Sequence, residues 1–246
     1  MKLWINVCYH HVEERFENFK QLLENLKSLK TEKTKIIINT NTEIDCDLPI
    51  NISLLQDPYH LTWEHKKYMQ SFLDSDFTHF MYLEGNLLYT QKNLDYWIRN
   101  REIFERNGLN FIPAIHRVRL AEGKTWSLDP TKKQSIAQQY EIEGKRYISM
   151  QEPYQGMFLM NRQDVAEHMQ TDYYHIGQKG WWGIRESANL GNMFVNVPQN
   201  FGHRMLLCLN EFPDSWIPHF GTDYHADQNS PHAKVTVEEV FINGNQ

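Results

Sequence analysis

The chain is poor in the features by which several function classes announce themselves. Cysteine is scarce: Cys8, Cys46 and Cys208 are three among 246 residues, odd in number and without a C-x-x-C spacing. That disfavours a disulfide framework or a cysteine zinc site and leaves Cys8 and Cys208, within apolar stretches, as buried thiols. No glycine-rich phosphate loop occurs, neither G-x-G-x-x-G after a strand nor G-x-x-x-x-G-K-[ST], so dinucleotide oxidoreductases and P-loop enzymes fall away. Local signals of Cys/His catalysis and of G-x-S-x-G hydrolysis are missing too. There is no window of about 18 apolar residues, so no bilayer-spanning segment is expected. The opening MKLWINVCYHH carries Asn6 and His10 where a signal peptide needs an unbroken apolar region. These absences predict a cytoplasmic protein, with peripheral contact at an inner membrane face left open. Positive charge is in deficit: 25 Lys and Arg against 31 Asp and Glu give a net charge of −6, with no basic run, so nucleic acid is not an expected partner.

What is present is a globular mixture, 41% apolar and 23% charged, on the scale of one large domain. Aromatic residues reach 13%, with seven Trp and twelve Tyr, which is compatible with a sugar or nucleotide ligand, aromatic packing inside an α/β domain being the simpler reading. Leu3 to Val7 read as a strand. Val12, Phe16, Phe19, Leu22, Leu23, Leu26 and Leu29 then recur at helical spacing. Ile36 to Ile38 and NISLLQ from Asn51 give two further strands, and Thr62 is placed to cap a helix with Trp63, Met69, Phe72 and Leu73 on one face. The strand HFMYLE follows, then a helix from Lys92 to about Arg106 stopped by Gly108. Strands alternating with helices predict a mostly parallel sheet flanked by helices, with ligands at the strand carboxyl ends. Beyond Phe111 the pattern becomes α+β, with strands at Arg146 to Met150 and Gly156 to Met160, the latter running through Asn161 into a helix. The expected organisation is one unit, 1–246, with a nucleotide-side front half (1–110) and an acceptor-side half with a C-terminal loop (111–246).

Four places carry chemistry. In THFMYLEGN a buried strand delivers Glu84, Gly85 and Asn86 into a loop. A carboxylate there costs desolvation unless a cation or donor meets it, making Glu84 a candidate metal or ligand contact; the plainer alternative is a carboxylate capping the next turn or pairing with a basic residue. In the tail, His219, His225 and His232 accompany Asp223 and Asp227, ordinary ligands for a divalent metal, though at no standard zinc spacing; a solvated loop is the alternative. His65 and Lys66, beside Trp63 at a helix start, suit a diphosphate, or else are polar neighbours of a packed indole. Arg185-Glu186, near Trp181 and Trp182, offer a carboxylate that takes a proton from a sugar hydroxyl while an indole stacks on the acceptor ring; a structural Arg-Glu pair is the simpler assumption.

Taken in order, the YHH of the opening, HLTWEHKKYM, THFMYLEGN, NLDYWIRNRE, YQGMFLMNR, RESAN, IPHFGTDYH and KVTVEEVF resemble a family of GT-A-type glycosyltransferase-like proteins, over most of the chain. The resemblance implies a GT-A-like (Rossmann-like) fold and a hexosyltransferase-like enzyme. Such an enzyme would move a sugar from a nucleotide-sugar donor to a glycan or glycolipid acceptor, as in polysaccharide biosynthesis. In that family the strand similar to THFMYLEGN usually ends in an Asp-x-Asp run that holds a divalent cation on the diphosphate. Glu84, Gly85 and Asn86 stand at those positions here, a loss of carboxylate charge. The resemblance gives Glu84, Asn86, His219 and His225 as a mixed metal site suited to manganese better than magnesium. It gives His65, Lys66, Glu84, Asn86, Arg117 and Arg185 as donor contacts, Trp181 and Trp182 as acceptor contacts, and Glu186 as general base if transfer inverts. With the metal lost, Lys66, Arg117 or Arg185 would neutralise the diphosphate. With catalysis lost, the chain would be a noncatalytic nucleotide- or glycan-binding relative.

Overall fold

The computed structural model describes residues 1–53, 58–128, 136–150, 154–175, 177, 183–189, 205–221, 226–230 and 232–242. In chain order its elements begin with β1 (Lys2–Tyr9), α1 (Phe16–Lys27), β2 (Lys33–Thr40) and β3 (Ile50–Ile52). A 3-10 segment, Pro58–Tyr68, runs into α2 (Met69–Leu73), and β4 (His79–Glu84) and α3 (Gln91–Arg106) follow. Next come β5 (Ile112–Pro113), β6 (His116–Ala121), β7 (Lys124–Ser127), β8 (Ile136–Ile142), β9 (Lys145–Met150), β10 (Met157–Asn161), α4 (Arg162–Met169) and α5 (Ile184–Ser187). The chain ends with β11 (Met205–Cys208), β12 (Trp216–Pro218), β13 (Val235–Thr236) and a π-helical turn, Glu238–Ile242. This is the expected mixed α/β architecture. The chain groups into two units, Met1–Asn86 with Gly156–Gly191, and Leu87–Gln155 with Asn192–Gln246.

The first unit is built on a five-stranded sheet in the order β10-β4-β1-β2-β3, parallel except for β10. Its central strand explains the apolar opening of the sequence: Leu3 to Tyr9 are all buried, as a strand covered on both faces requires. Alternation sends Leu3, Ile5, Val7 and Tyr9 to one face, where Tyr9 stacks on Phe19 of α1 at 3.7 Å. Trp4, Asn6 and Cys8 point to the other, where Trp4 meets Phe72 and Phe77, and the Cys8 thiol donates to Leu61 O in the 3-10 segment.

The helix expected to start at Thr62 does not start there. The Thr62 hydroxyl donates back to Tyr59 O at 2.9 Å instead of accepting from an N–H ahead of it, so it cannot serve as an N-cap, and α2 begins only at Met69. Asn161, in contrast, is a working cap: its side chain accepts from Asp164 N while Asp164 accepts from Asn161 N. Arg162, next along, donates to the carbonyls of Leu73, Ser75 and Phe77 and so closes the open carboxyl end of α2.

The second unit holds two four-stranded mixed sheets, β5-β11-β9-β8 and β12-β6-β7-β13. Helix α3 has a capping box on Thr90 and Asn93, and it ends where Gly108 takes φ +66°. Glu122-Gly123 and Glu143-Gly144 adopt positive φ throughout, the two-residue turns whose twist suits the hairpins β6-β7 and β8-β9. Ile112, Ala114, Val118, Ile148, Met205 and Leu207 form a core that Val237, Val240 and Phe241 of the C-terminal turn complete. Among the described residues no helix is long and apolar enough to cross a membrane.

Candidate functional site at the carboxyl edge of the first sheet

Strand order runs outward from β1 through β2 to β3 and then jumps to the other side of β1 for β4. In open α/β sheets, ligands bind beyond the strand carboxyl ends at such a reversal, because the connections on either side diverge and leave a crevice. Between β1 and β4 that edge is made by Cys8, Tyr9, Glu84 and Gly85. Cys8 and Glu84 are register partners, which places their side chains on the same face, the one that the 3-10 segment covers. Burial, with the Glu84 and Glu64 carboxylates adding to it, holds the Cys8 thiol well above its ordinary pKa, so it is an inert packing group.

Glu84 is only 6% exposed. Its N–H donates to Gly156 O at 2.8 Å, and its carboxylate accepts from the Tyr82 hydroxyl at 3.5 Å. Gly85 N donates to Cys8 O at 2.9 Å, pulling the turn tight against β1. Asn86, half-buried, is the last residue of this unit before the chain leaves it.

His65 and Lys66 are turned inward. The His65 ring is fully buried, 4.4 Å from the Tyr82 ring and 5.3 Å from that of Phe158. Its Nδ1 lies 2.7 Å from Thr62 O and therefore carries the proton, leaving Nε2 as a buried acceptor with no hydrogen-bond partner among the described residues. Burial first, then the Lys66 charge, drives its pKa well below the ordinary value. Lys66 donates to Tyr173 O and lies 4.2 Å over the Trp63 ring. Both residues thus join the 3-10 segment to its surroundings.

A polar group that the sequence reading passed over lies at the ends of β2 and β3. The Glu64 carboxylate, also buried, accepts from Ser53 Oγ at 2.8 Å, Asn51 Nδ2 at 3.3 Å and Lys67 Nζ at 2.6 Å, and Asn51 also donates to Asn39 Oδ1. The available signal was Asn39, Asn51 and Ser53 interrupting β-branched runs just where parallel strands end.

Arg185 and Glu186 sit on α5, which Trp63 ties to the 3-10 segment by donating from Nε1 to Ile184 O at 2.8 Å. Arg185 donates to Glu186 Oε1 from Nε at 3.0 Å and from Nη2 at 2.8 Å. It also lies 6.0 Å over the ring of Tyr59. The expected Arg-Glu pair therefore exists, in the same unit as Glu84. Trp181, Trp182 and His225 lie outside the described residues, as does Asp223.

Arg117 and His219 belong to the second unit. Arg117 is buried 4.4 Å over the Tyr154 ring, and His219, also buried, bridges to Leu87 at the backbone. Asp227 takes part in local turn bonds with Asn229 N and, through its carbonyl, Lys234 Nζ. Among the described residues no group of three or more His, Cys, Asp or Glu side chains gathers in a way that could hold a metal ion.

No family model matches the chain, and no curated protein sequence matches it. Among solved structures it is similar to mannose-1-phosphate geranyltransferase from Thermus thermophilus, at 14% identity and a TM-score of 0.45 over 87% of this chain and 75% of that one. It is also similar to CMP:2-keto-3-deoxy-manno-octonic acid synthetase complexed with CTP, at 8% identity and a TM-score of 0.38 over 77% of this chain and 83% of that one. With both TM-scores below 0.5, neither similarity assigns a role to any residue here.

Proposed function

We propose that this chain is a GT-A-type transferase that binds a nucleotide-sugar at the carboxyl edge of its first sheet and passes the glycosyl group to a hydroxyl of a glycan or glycolipid. The observation that carries this reading is the position of Glu84, a carboxylate leaving β4 at the β1/β4 reversal of a parallel sheet. A divalent ion would draw on the Glu84 carboxylate, the Asn86 amide oxygen and mostly the diphosphate itself, since hard cations at such sites take one or two carboxylates plus substrate phosphates. When bound, it would neutralise charge on the leaving diphosphate. Glu186 is the general base of an inverting displacement. The acceptor oxygen bonds to the anomeric carbon, and its proton passes to the Glu186 carboxylate. The bond from that carbon to the diphosphate oxygen breaks, its electron pair staying on the diphosphate. Arg185 fixes the base by holding its Oε1 from two nitrogens.

Calorimetric titration with UDP-, GDP- and CMP-sugars in the presence of manganese, followed by nucleotide-release assays with oligosaccharide acceptors, tests the reading. Donor binding is expected in the wild type and weakened in Glu84→Gln. Glu186→Gln should keep donor binding and lose about 100-fold or more in transfer. A folded protein that binds no nucleotide-sugar overturns the proposal. The deep burial of Glu84, with Gly85 and Asn86 in place of acids, favours a second reading, a noncatalytic nucleotide or glycan binder. Donor binding with no turnover in the wild type would select it.

A further inference from the structure

We infer that the covered face of the first sheet binds internal water, held between the side-chain amide of Asn6 and Nε2 of His65. The inference stands apart from the transferase reading, because it needs neither a nucleotide nor a sugar. Asn6 occupies the middle of β1, the central strand, between the fully buried apolar residues Ile5 and Val7. It is itself 0% exposed, and neither its amide nitrogen nor its amide oxygen has a hydrogen-bond partner among the described residues. Asn39, on the same face of the neighbouring strand, shows the contrast: its Nδ2 donates to Val7 O at 3.5 Å and its Oδ1 accepts from Asn51 at 3.1 Å. A buried amide that bonds to nothing gives up its hydration without return, and native interiors meet such atoms with protein groups or with ordered water.

The contacts of His65 place it beside this amide. Asn6 pairs in register with Tyr82, on strands about 4.8 Å apart, and Cys8 follows it along β1 on the same face. His65 touches both neighbours: its ring lies 4.4 Å from that of Tyr82, and its backbone hydrogen-bonds the Cys8 sulfur. With the Nδ1 proton directed at Thr62 O, its Nε2 is an acceptor, buried and likewise with no hydrogen-bond partner among the described residues. Trp4, two residues before Asn6 on the same face, adds the indole Nε1, a buried donor in the same condition. Two donors, Trp4 Nε1 and Asn6 Nδ2, are thus matched by two acceptors, Asn6 Oδ1 and His65 Nε2. A cation would leave the donors unmet and an anion the acceptors, whereas water does both jobs. One molecule accepts from Asn6 Nδ2 and donates to His65 Nε2, within the range of partners that internal water ordinarily has. Asn6 and His65 are both 0% exposed, which confines the occupant to something of that size.

Water-selective NOE and ROE spectra of the full, isotope-labelled chain test this, together with oxygen-17 relaxation dispersion, whose amplitude counts long-lived internal water. The side-chain amide protons of Asn6 are expected to show cross-peaks to water with the dipolar sign in the ROE spectrum, which bound water gives and chemical exchange does not. Asn6→Leu, similar in shape but without polar atoms, is expected to remove at least one long-lived water from the dispersion amplitude. In the same variant the His65 Nε2 resonance should move downfield, toward that of an imidazole nitrogen that accepts no hydrogen bond. If Asn6→Leu does not fold, the wild-type cross-peaks decide alone. Wild-type spectra without dipolar water cross-peaks at Asn6 overturn the inference, and so does a folded Asn6→Leu whose dispersion amplitude and His65 resonance match wild type. A scalar coupling between the Asn6 amide and His65 Nε2 would also overturn it, since the two groups would then bond directly.

Discussion

A Cβ on Gly85 would stand 2.7 Å from Cδ2 and 2.9 Å from Cβ of Tyr9. The Tyr9 ring has little room to yield, because it lies flat on Phe19 with an interplanar angle of 3°. The glycine between Glu84 and Asn86 is therefore a packing requirement of the β1/β4 edge. Gly85→Ala is expected to destabilise the protein by about 1–3 kcal/mol through overpacking. Urea denaturation would measure it, and an unchanged midpoint would show that Tyr9 moves aside. Gly85→Asp, which adds a carboxylate at the middle position of the motif, should lower stability at least as much and add no metal affinity.

Two buried histidines make stability depend on pH in a definite direction. Burial, then the Lys66 charge, depresses the pKa of His65 well below 6.5; His168 is depressed by burial, then by Lys66 and His65. The unfolded chain binds these protons as pH falls through the ordinary histidine value while the folded chain does not. Stability is thus undiminished above that value and declines below it, by about 1.4 kcal/mol per pH unit per histidine. Denaturation midpoints compared between neutral pH and mildly acidic pH, in wild type and His168→Gln, should show a shallower decline in the variant. A flat wild-type profile across that window contradicts the assignment.

Trp63 joins the 3-10 segment to α5 through one indole N–H. Trp63→Phe keeps most of the buried ring and leaves Ile184 O without that donor, a change worth about 1–3 kcal/mol. Faster tryptic cleavage after Arg185 is the specific readout, since α5 loses its anchor. A variant as resistant as wild type would mean that other contacts hold the helix.

Phe241 closes the core of the second unit, with its ring 5.0 Å from that of His116. Truncation to alanine should cost about 3–5 kcal/mol, as for other buried phenylalanines. Guanidinium unfolding would report it, and a loss below about 1 kcal/mol, a level typical of surface positions, would place the C-terminal turn outside the core.

Much of the first unit was legible because its strands are buried on both faces and so read as apolar runs: Leu3 to Val7, Ile36 to Ile38 and HFMYLE each fall inside an observed strand. The helix ending before Gly108 and the strand running through Asn161 into α4 were equally readable, because their caps are local in sequence. The 3-10 segment was not, since Thr62 makes a cap on paper and a back-bond in three dimensions. The inward turn of His65 was hidden for a related reason. Which side of a short helical segment faces a sheet depends on residues such as Tyr82 and Phe158, distant in the chain. Glu84 and the Arg185-Glu186 pair were named from sequence, whereas the buried Glu64 with Asn51 and Ser53 was not, because a hydrogen-bonded group drawn from separate segments has meaning only once its neighbours are known.

Strand β10 pairs with β4 although β4 is complete at Glu84 and β10 ends at Asn161. A chain emerging from the ribosome therefore displays the bare, apolar flank of β4 while the intervening stretch is synthesised, for about 4–15 s at ordinary elongation rates. During that interval any extended segment of another nascent chain meets the same row of unsatisfied amides that Met157–Asn161 will later cover. Production yield should therefore respond more to elongation speed and chaperone supply than the stability of the finished protein would suggest.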